Sequence, residues 1–230
     1  MEVKVLSYTQ NPEVTCAVAM RSTRTREPAH KLIEREWRTK CDLPNFTYEN
    51  RCRSLETHMQ CPHFSFCAVR LLKNAKKMNH WGVFEHATFT VSVSGVSRAL
   101  THQLVRHRLA SYSQQSQRQV KIDTNEDWYI KPPSIKDGQR FDMLMGEIAK
   151  CYQKYVDDGV PEEDARFVLP NACKTNIVIT ANAREWFHMF KLRTDEQSQW
   201  EIRRMFQQIL EELMMISPLI FEGIIFGEKS

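Results

Sequence analysis

Between positions 103 and 118 the chain concentrates side chains that can hold an anion: Gln103, Arg106, His107, Arg108, Ser111, Ser116 and Arg118. Arginine offers a planar fork of donors matched to phosphate oxygens and stays charged at any working pH. The amides and hydroxyls of Gln114, Gln115, Ser116 and Gln117 can complete the hydrogen bonding of an anion or of a base edge. The chemistry this points to is the gripping of a phosphorylated ligand. A nucleic-acid-binding module built on Arg106–Arg118 would use the same residue types. Only Tyr112 interleaves with those cations, which is poor provision for stacking bases. A plain solvated helix end is the simplest other reading of such a run.

Ser116 is the hydroxyl of this stretch with the clearest claim as a nucleophile. No general base stands beside it in sequence, and an unactivated serine is a weak nucleophile, so a binding role is favoured. A second cluster, Cys52, His58, Cys61, His63 and Cys67, contains enough ligands for zinc. Its spacing lacks the paired C-x2-C unit, so no metal is expected.

These residues need a scaffold. Val3, Val5 and Tyr8 alternate with polar residues, as do Phe89, Val91 and Val93, and both runs read as half-buried strands. Ile177-Val178-Ile179 reads as a buried strand. Helices are expected over 12–24 from Pro12, around Leu32, Ile33 and Trp37, over 64–79, over 97–108 with Ser97 as N-cap, over 139–156, from Pro161 to Val168, and over 197–216. On a helix 97–108, Gln103 would lie one turn before Arg106 and His107. The stretch 109–118 has no clean period, and 121–138 reads as a loop punctuated by Pro132-Pro133 and Asp137-Gly138. Trp200 and the Met214-Met215 stripe read as core or subunit interface. A single α+β domain over residues 1–230 follows, a small mixed or antiparallel sheet packed with several helices.

The bulk numbers agree. The 230 residues suit one well-buried core, and 42% hydrophobic with 26% charged residues is ordinary globular composition. Seven cysteines and a polar opening segment point to a reduced, cytoplasmic setting. No apolar stretch approaches the ~20 residues that span a bilayer. A formal charge of +4 is compatible with anionic ligands and does not choose among them.

The spacing R-H-R-x-x-S-x-x-x-x-S-x-R, from Arg106 through Ser111 and Ser116 to Arg118, resembles the signature of the flavin-dependent thymidylate synthases. Further segments resemble that family in the same order: His80-Trp81-Gly82-Val83-Phe84-Glu85-His86, then Gln103, Gly159-Val160-Pro161, Ala165-Arg166, Asn182-Ala183-Arg184, Leu192-Arg193-Thr194-Asp195 and Gln199-Trp200-Glu201-Ile202. The resemblance covers roughly residues 60–205. It implies reductive methylation of dUMP to dTMP, with FAD as cofactor and with NADPH and 5,10-methylenetetrahydrofolate as co-substrates. It also implies a homotetramer whose subunits share active sites, with no nucleic-acid or membrane partner.

The same resemblance assigns roles. His80, Gly82, Arg106, His107, Arg108, Gln114, Asn182, Ala183, Arg184 and His188 would hold FAD. Gln103, Leu104, Val105, Arg106, Gln114, Gln115, Ser116, Gln117, Arg118, Arg166 and Arg193 would bind dUMP. Arg193 would favour the ionised uracil ring, and so activate it. Several positions depart from the family's commonest pattern: Gln114 stands where many members have Glu, Ser113 where many have Asn, and Gln117 where Gly is frequent. His188 and Gln197 differ from the frequent Asn and His, and Gly82 from a small hydroxyl residue.

Overall fold

A computed structural model describes residues 1–32 and 68–224. The cysteine-histidine cluster and most of the helix expected around Trp37 lie outside the described residues. Among the described residues there are four strands, β1 (Glu2–Tyr8), β2 (Thr88–Ser97), β3 (Ser111–Gln114) and β4 (Lys174–Asn182). They form one sheet in the order β1-β2-β4-β3, with every neighbouring pair antiparallel.

Alternation sets the faces of the sheet. Phe89, Val91 and Val93 of β2 lie opposite Ala181, Ile179 and Ile177 of β4, and all six are buried. The residues between them, Thr90, Ser92, Val178 and Thr180, are half-buried and mostly polar, and the Thr90 and Thr180 hydroxyls meet at 3.0 Å. The register of β2 against β4 shifts between Val93 and Val96. Gly95 sits there at φ 66, a backbone conformation open to glycine at little cost, so the bulge falls where the sequence permits it.

The helices are α1 (Pro12–Ser22), α2 (Ala29–Leu32), α3 (Ala68–Lys77), α4 (Arg98–Leu104), α5 (Gly138–Asp157), α6 (Glu162–Ala165), α7 (Ala183–Arg193), α8 (Trp200–Ile216) and α9 (Pro218–Phe221). Short 3-10 turns occupy Trp81–His86 and Arg166–Val168. Trp186 and Phe190 of α7 stack on each other and meet Phe206 of α8 edge-on. All three are fully buried, and each such side chain contributes roughly 1.5–3 kcal/mol by leaving water. This aromatic layer fixes α7 against α8 and so positions everything α7 carries. Trp128, Met145 and Cys173 form a smaller core under α5.

Several expectations need correction. The helix expected over 97–108 stops at Leu104. Beyond it the chain tightens into three-residue turns, His107 N–H to Leu104 C=O and Ala110 N–H to His107 C=O. Tyr112 explains the stop: its hydroxyl donates to the Leu104 carbonyl at 2.9 Å and reaches the His107 carbonyl at 3.1 Å. A side chain thus satisfies carbonyls that a continuing helix would have used. The aperiodic stretch 109–118 contains an edge strand, β3, paired to β4 along one side only; a four-residue strand is too short to show a period. The helix expected from Pro161 to Val168 divides into α6 and a 3-10 turn. Helix α7 was not read from the sequence at all.

Candidate active site

Helix α4 is the platform for the cationic motif, and its start is locked from two sides. The Ser97 hydroxyl accepts the Leu100 N–H at 3.0 Å, the N-cap expected of it. The buried Glu201 carboxylate of α8 accepts the Ser97 N–H at 2.8 Å and the Ser97 hydroxyl at 2.5 Å. Glu201 therefore ties the platform to the core.

At the other end of α4 the motif splits by exposure. Arg106 and Arg108 are exposed, and His107 between them is 5% exposed. Neither arginine forms an ion pair with a described residue, so both are available to an anion. The ring of His107 turns inward and meets α7. Its Nε2 accepts the Arg193 Nε–H at 2.9 Å, and its Nδ1 lies 3.9 Å from the buried Glu185 carboxylate. The His188 ring stands edge-on to it at 5.8 Å. Arg193 also reaches the Gln103 carbonyl, at 3.5 Å. Residues 86 positions apart in the chain thus meet in one group: Gln103, His107, Glu185, His188 and Arg193.

The electrostatics of this group are set by burial. Burial pulls His107 down from its ordinary 6.5 to about 4, and the Arg193 and His188 charges push the same way. Burial raises the Glu185 carboxyl, and His188 opposes that rise. A neutral imidazole with a hydrogen-bonded Nε2 acceptor carries its proton on Nδ1, toward Glu185. Because the folded pKa of His107 is depressed, the unfolded chain binds a proton first as pH falls through 6.5. Stability should therefore drop between pH 6.5 and about 4. His107 should contribute a loss of about 1–2 kcal/mol between pH 7 and pH 5, opposed by the raised Glu185 carboxyl, so thermal midpoints should fall more in wild type than in His107→Gln, which does not titrate.

A second group forms around α6. Arg118 pairs with the Glu163 carboxylate at 2.6 Å, and Arg166 donates to the Glu163 carbonyl at 3.0 Å. Arg98 donates to the Gln115 carbonyl at 3.3 Å and lies close enough to Arg166 to feel its charge. Arg118 and Arg166, both expected at the nucleotide, thus both meet Glu163, the first at its carboxylate and the second at its main-chain carbonyl. Ser116 Oγ accepts the Arg118 N–H at 3.2 Å, a turn contact, and no base is bonded to it among the described residues. Gln117 reaches the Cys173 sulfur at 3.5 Å.

The third group surrounds a cavity of about 590 Å³ lined by α1 and by His80, Gly82, Val83 and His86. A Cβ at Gly82 would meet nothing within 4 Å, so that side of the cavity is open. Arg184 is exposed and pairs with Glu85 of the neighbouring 3-10 turn. Asn182 caps α7 by accepting the Glu185 N–H at 2.9 Å, and Ala183 is held by its N–H to the Ala87 carbonyl.

Two expected ligand contacts are otherwise engaged. The Leu104 side chain is fully buried, whereas Val105 is 44% exposed. Gln114 points inward: its amide donates to Thr101 Oγ1 at 3.0 Å and to Thr175 Oγ1 at 3.3 Å, tying β3 to α4 and β4. Gln114→Leu should therefore cost stability, about 1 kcal/mol per lost bond. A thermal midpoint lower by a few degrees is expected.

Glu185, Glu201 and Tyr112 were not anticipated as positioning residues. Asn182 followed three residues later by Glu185 is a readable helix-start signal. Nothing local distinguishes Glu201, whose partner lies 104 residues away.

Comparison with known proteins places this geometry. The family described as thymidylate synthase complementing protein matches residues 4–219. A flavin-dependent thymidylate synthase of Geobacter sulfurreducens is 48% identical over 154 residues, 65% of this chain and 66% of the relative. The Sulfurisphaera tokodaii protein of the same name is 36% identical over 229 residues, 97% of this chain and 77% of the relative. The Pyrococcus furiosus protein of that name is 47% identical over 150 residues, 61% of this chain and 62% of the relative. The chain belongs to the flavin-dependent thymidylate synthase family, a family of enzymes. No described helix is long and apolar enough to cross a membrane.

Proposed function

We propose that the protein converts dUMP to dTMP, taking the carbon from 5,10-methylenetetrahydrofolate and reducing equivalents from NADPH by way of FAD. The observation that carries this reading is the meeting of Arg193 with Gln103 and His107, beneath two exposed arginines that no described carboxylate neutralises. Family membership supplies the reaction class.

The residues present fit a flavin. A cavity of about 590 Å³ is of ligand-site size, and its mixed lining of Val18, Ala19 and Met20 with Thr15, Ser22, His80 and His86 suits a planar heteroaromatic ring. Arg106, Arg108 and Arg184 provide exposed cations for its pyrophosphate, with Asn182, Ala183 and His188 alongside Arg184 on α7 and its cap. When bound, the flavin supplies the hydride that completes the new methyl group.

The remaining work belongs to the protein. Arg118, Arg166 and Ser116 take the nucleotide phosphate, with Glu163 holding the two guanidiniums in reach until the ligand arrives. Gln103, Gln115 and Gln117 flank the nucleotide. Arg193 stabilises negative charge on the uracil ring, and being permanently protonated it does so without exchanging a proton. The proposal includes a cytoplasmic homotetramer with shared active sites; subunit sharing would bring the groups on one chain against those on the next.

The experiment is a single turnover. Protein loaded with FAD and reduced by NADPH without oxygen is expected to regain its blue-region absorbance when dUMP and methylenetetrahydrofolate are added, with stoichiometric dTMP. Colourless protein that FAD does not reconstitute, or reoxidation without dTMP, would remove the proposal.

A further inference from the structure

We infer that His107 is a positioning residue for Arg193: the neutral imidazole accepts the guanidinium's Nε–H and so aims its remaining donors without cancelling its charge. This rests on the reading that Arg193 faces the pyrimidine, and it assigns His107 work distinct from gripping the flavin.

Three observations carry it. His107 alone of the Arg106-His107-Arg108 run is turned into the protein, 5% exposed, so its ring is not offered to solvent or to a ligand at the surface. The Arg193 Nε to His107 Nε2 distance is 2.9 Å, a well-formed hydrogen bond. The carbonyls on either side are themselves fixed: Tyr112 holds those of Leu104 and His107 at 2.9 and 3.1 Å. The acceptor therefore sits on a braced turn rather than on a free loop.

The choice of acceptor has a consequence. Arginines are most often oriented by carboxylates, which neutralise the field they project. An imidazole acceptor adds no net charge, so the full cationic field remains for a ring acquiring negative charge. The charged and titratable groups facing His107 include Glu185, His188 and Arg193 from α7 and Tyr112 from β3, and α8 presents the Phe206 ring. Glu185, at 3.9 Å from Nδ1, lies on the far side of the ring from Arg193. It favours the Nδ1–H tautomer and leaves Nε2 as the acceptor.

The test compares His107→Gln, His107→Asn and His107→Leu in the FAD-loaded enzyme, alone and combined with Arg193→Ala. Glutamine can place a carbonyl oxygen where Nε2 stands; asparagine reaches only the Nδ1 position; leucine offers no acceptor. Expected are kcat losses of about 30–100-fold for the leucine and asparagine variants, the scale of a misaimed catalytic group. The glutamine variant should recover to within about tenfold of wild type, and FAD affinity should stay within about threefold throughout. In the Arg193→Ala background the same His107 changes should alter kcat less than about twofold, because the group they act through is gone. Equal losses for glutamine and asparagine, additive losses with Arg193→Ala, or loss of FAD ahead of turnover would overturn the inference. If leucine fails to fold, the glutamine-asparagine comparison still decides. Full activity of Arg193→Ala alone would instead sink the reading of Arg193, an outcome separate from these.

Discussion

Arg193→Ala is expected to lower kcat by about 10²–10³-fold, the scale of removing one preorganised charge-stabilising donor, with FAD affinity within about threefold of wild type. The asymmetry follows from where Arg193 sits. It is bonded to His107 and to the Gln103 carbonyl, while the cations proposed for the flavin, Arg106, Arg108 and Arg184, are exposed and take no part in those bonds. Arg193→Lys should recover little. A lysine ammonium keeps the charge but cannot bond the imidazole through a nitrogen partway along the chain and present two more donors beyond it. Steady-state kinetics with dUMP, beside a flavin titration of each variant, checks both halves. Loss of flavin without loss of turnover per bound flavin would contradict the assignment.

Glu201→Ala is expected to give the largest loss of stability, about 3–4 kcal/mol. The change leaves the Ser97 N–H and hydroxyl without their acceptor in a site closed to water, and each orphaned buried group costs about 1–3 kcal/mol. For a chain of this size that is a drop of about 6–15 °C in thermal midpoint. Glu201→Gln should lose less, since its amide oxygen can still accept the Ser97 N–H. The effect should extend to the site, because Ser97 caps the helix that presents Arg106 and His107. A Glu201→Ala protein melting within a degree or two of wild type would show that α4 is anchored elsewhere.

Much of this was legible in the sequence, and the exceptions are informative. Two strands were readable because Phe89, Val91, Val93 and Val3, Val5 alternate with polar residues; Phe89, Val91, Val93 and Val3 are buried and Val5 is half-buried, whereas Tyr8, beyond the register shift between Val5 and Ser7, is exposed. Helix α8 announced itself through Ile202, Met205, Phe206, Ile209 and Leu210, all fully buried. Helix α7 escaped notice because its buried face is not uniformly apolar: Ala183, Glu185, Trp186, Met189 and Phe190 are covered, and an interior glutamate among aromatics breaks the apolar stripe. The early end of α4 was also invisible. No proline or glycine marks it, and the group responsible is the Tyr112 hydroxyl, which acts through space.

The candidate site divides in the same way. Arg106, Arg108 and Arg118 stood out by their spacing, and Arg193 by the family resemblance. What spacing could not give is which of them touch which. Glu163 gathers Arg118 and Arg166, and His107 turns away from its flanking arginines to meet Arg193. Gln114 likewise braces β3 through two threonine hydroxyls. Contacts between residues 45 to 86 positions apart leave no local signature, whereas periodicity and caps do.

The most direct measurement is a titration of the FAD-loaded protein with dUMP and, separately, with deoxyuridine, followed through the flavin absorbance bands. Fixed guanidiniums that hold a phosphate so that the pyrimidine lies against the isoalloxazine require dUMP to perturb those bands at micromolar concentration, with deoxyuridine at least about a hundredfold weaker, the scale of lost charge-assisted contacts to a dianion. Equal perturbation by the two, or none by either, would contradict it.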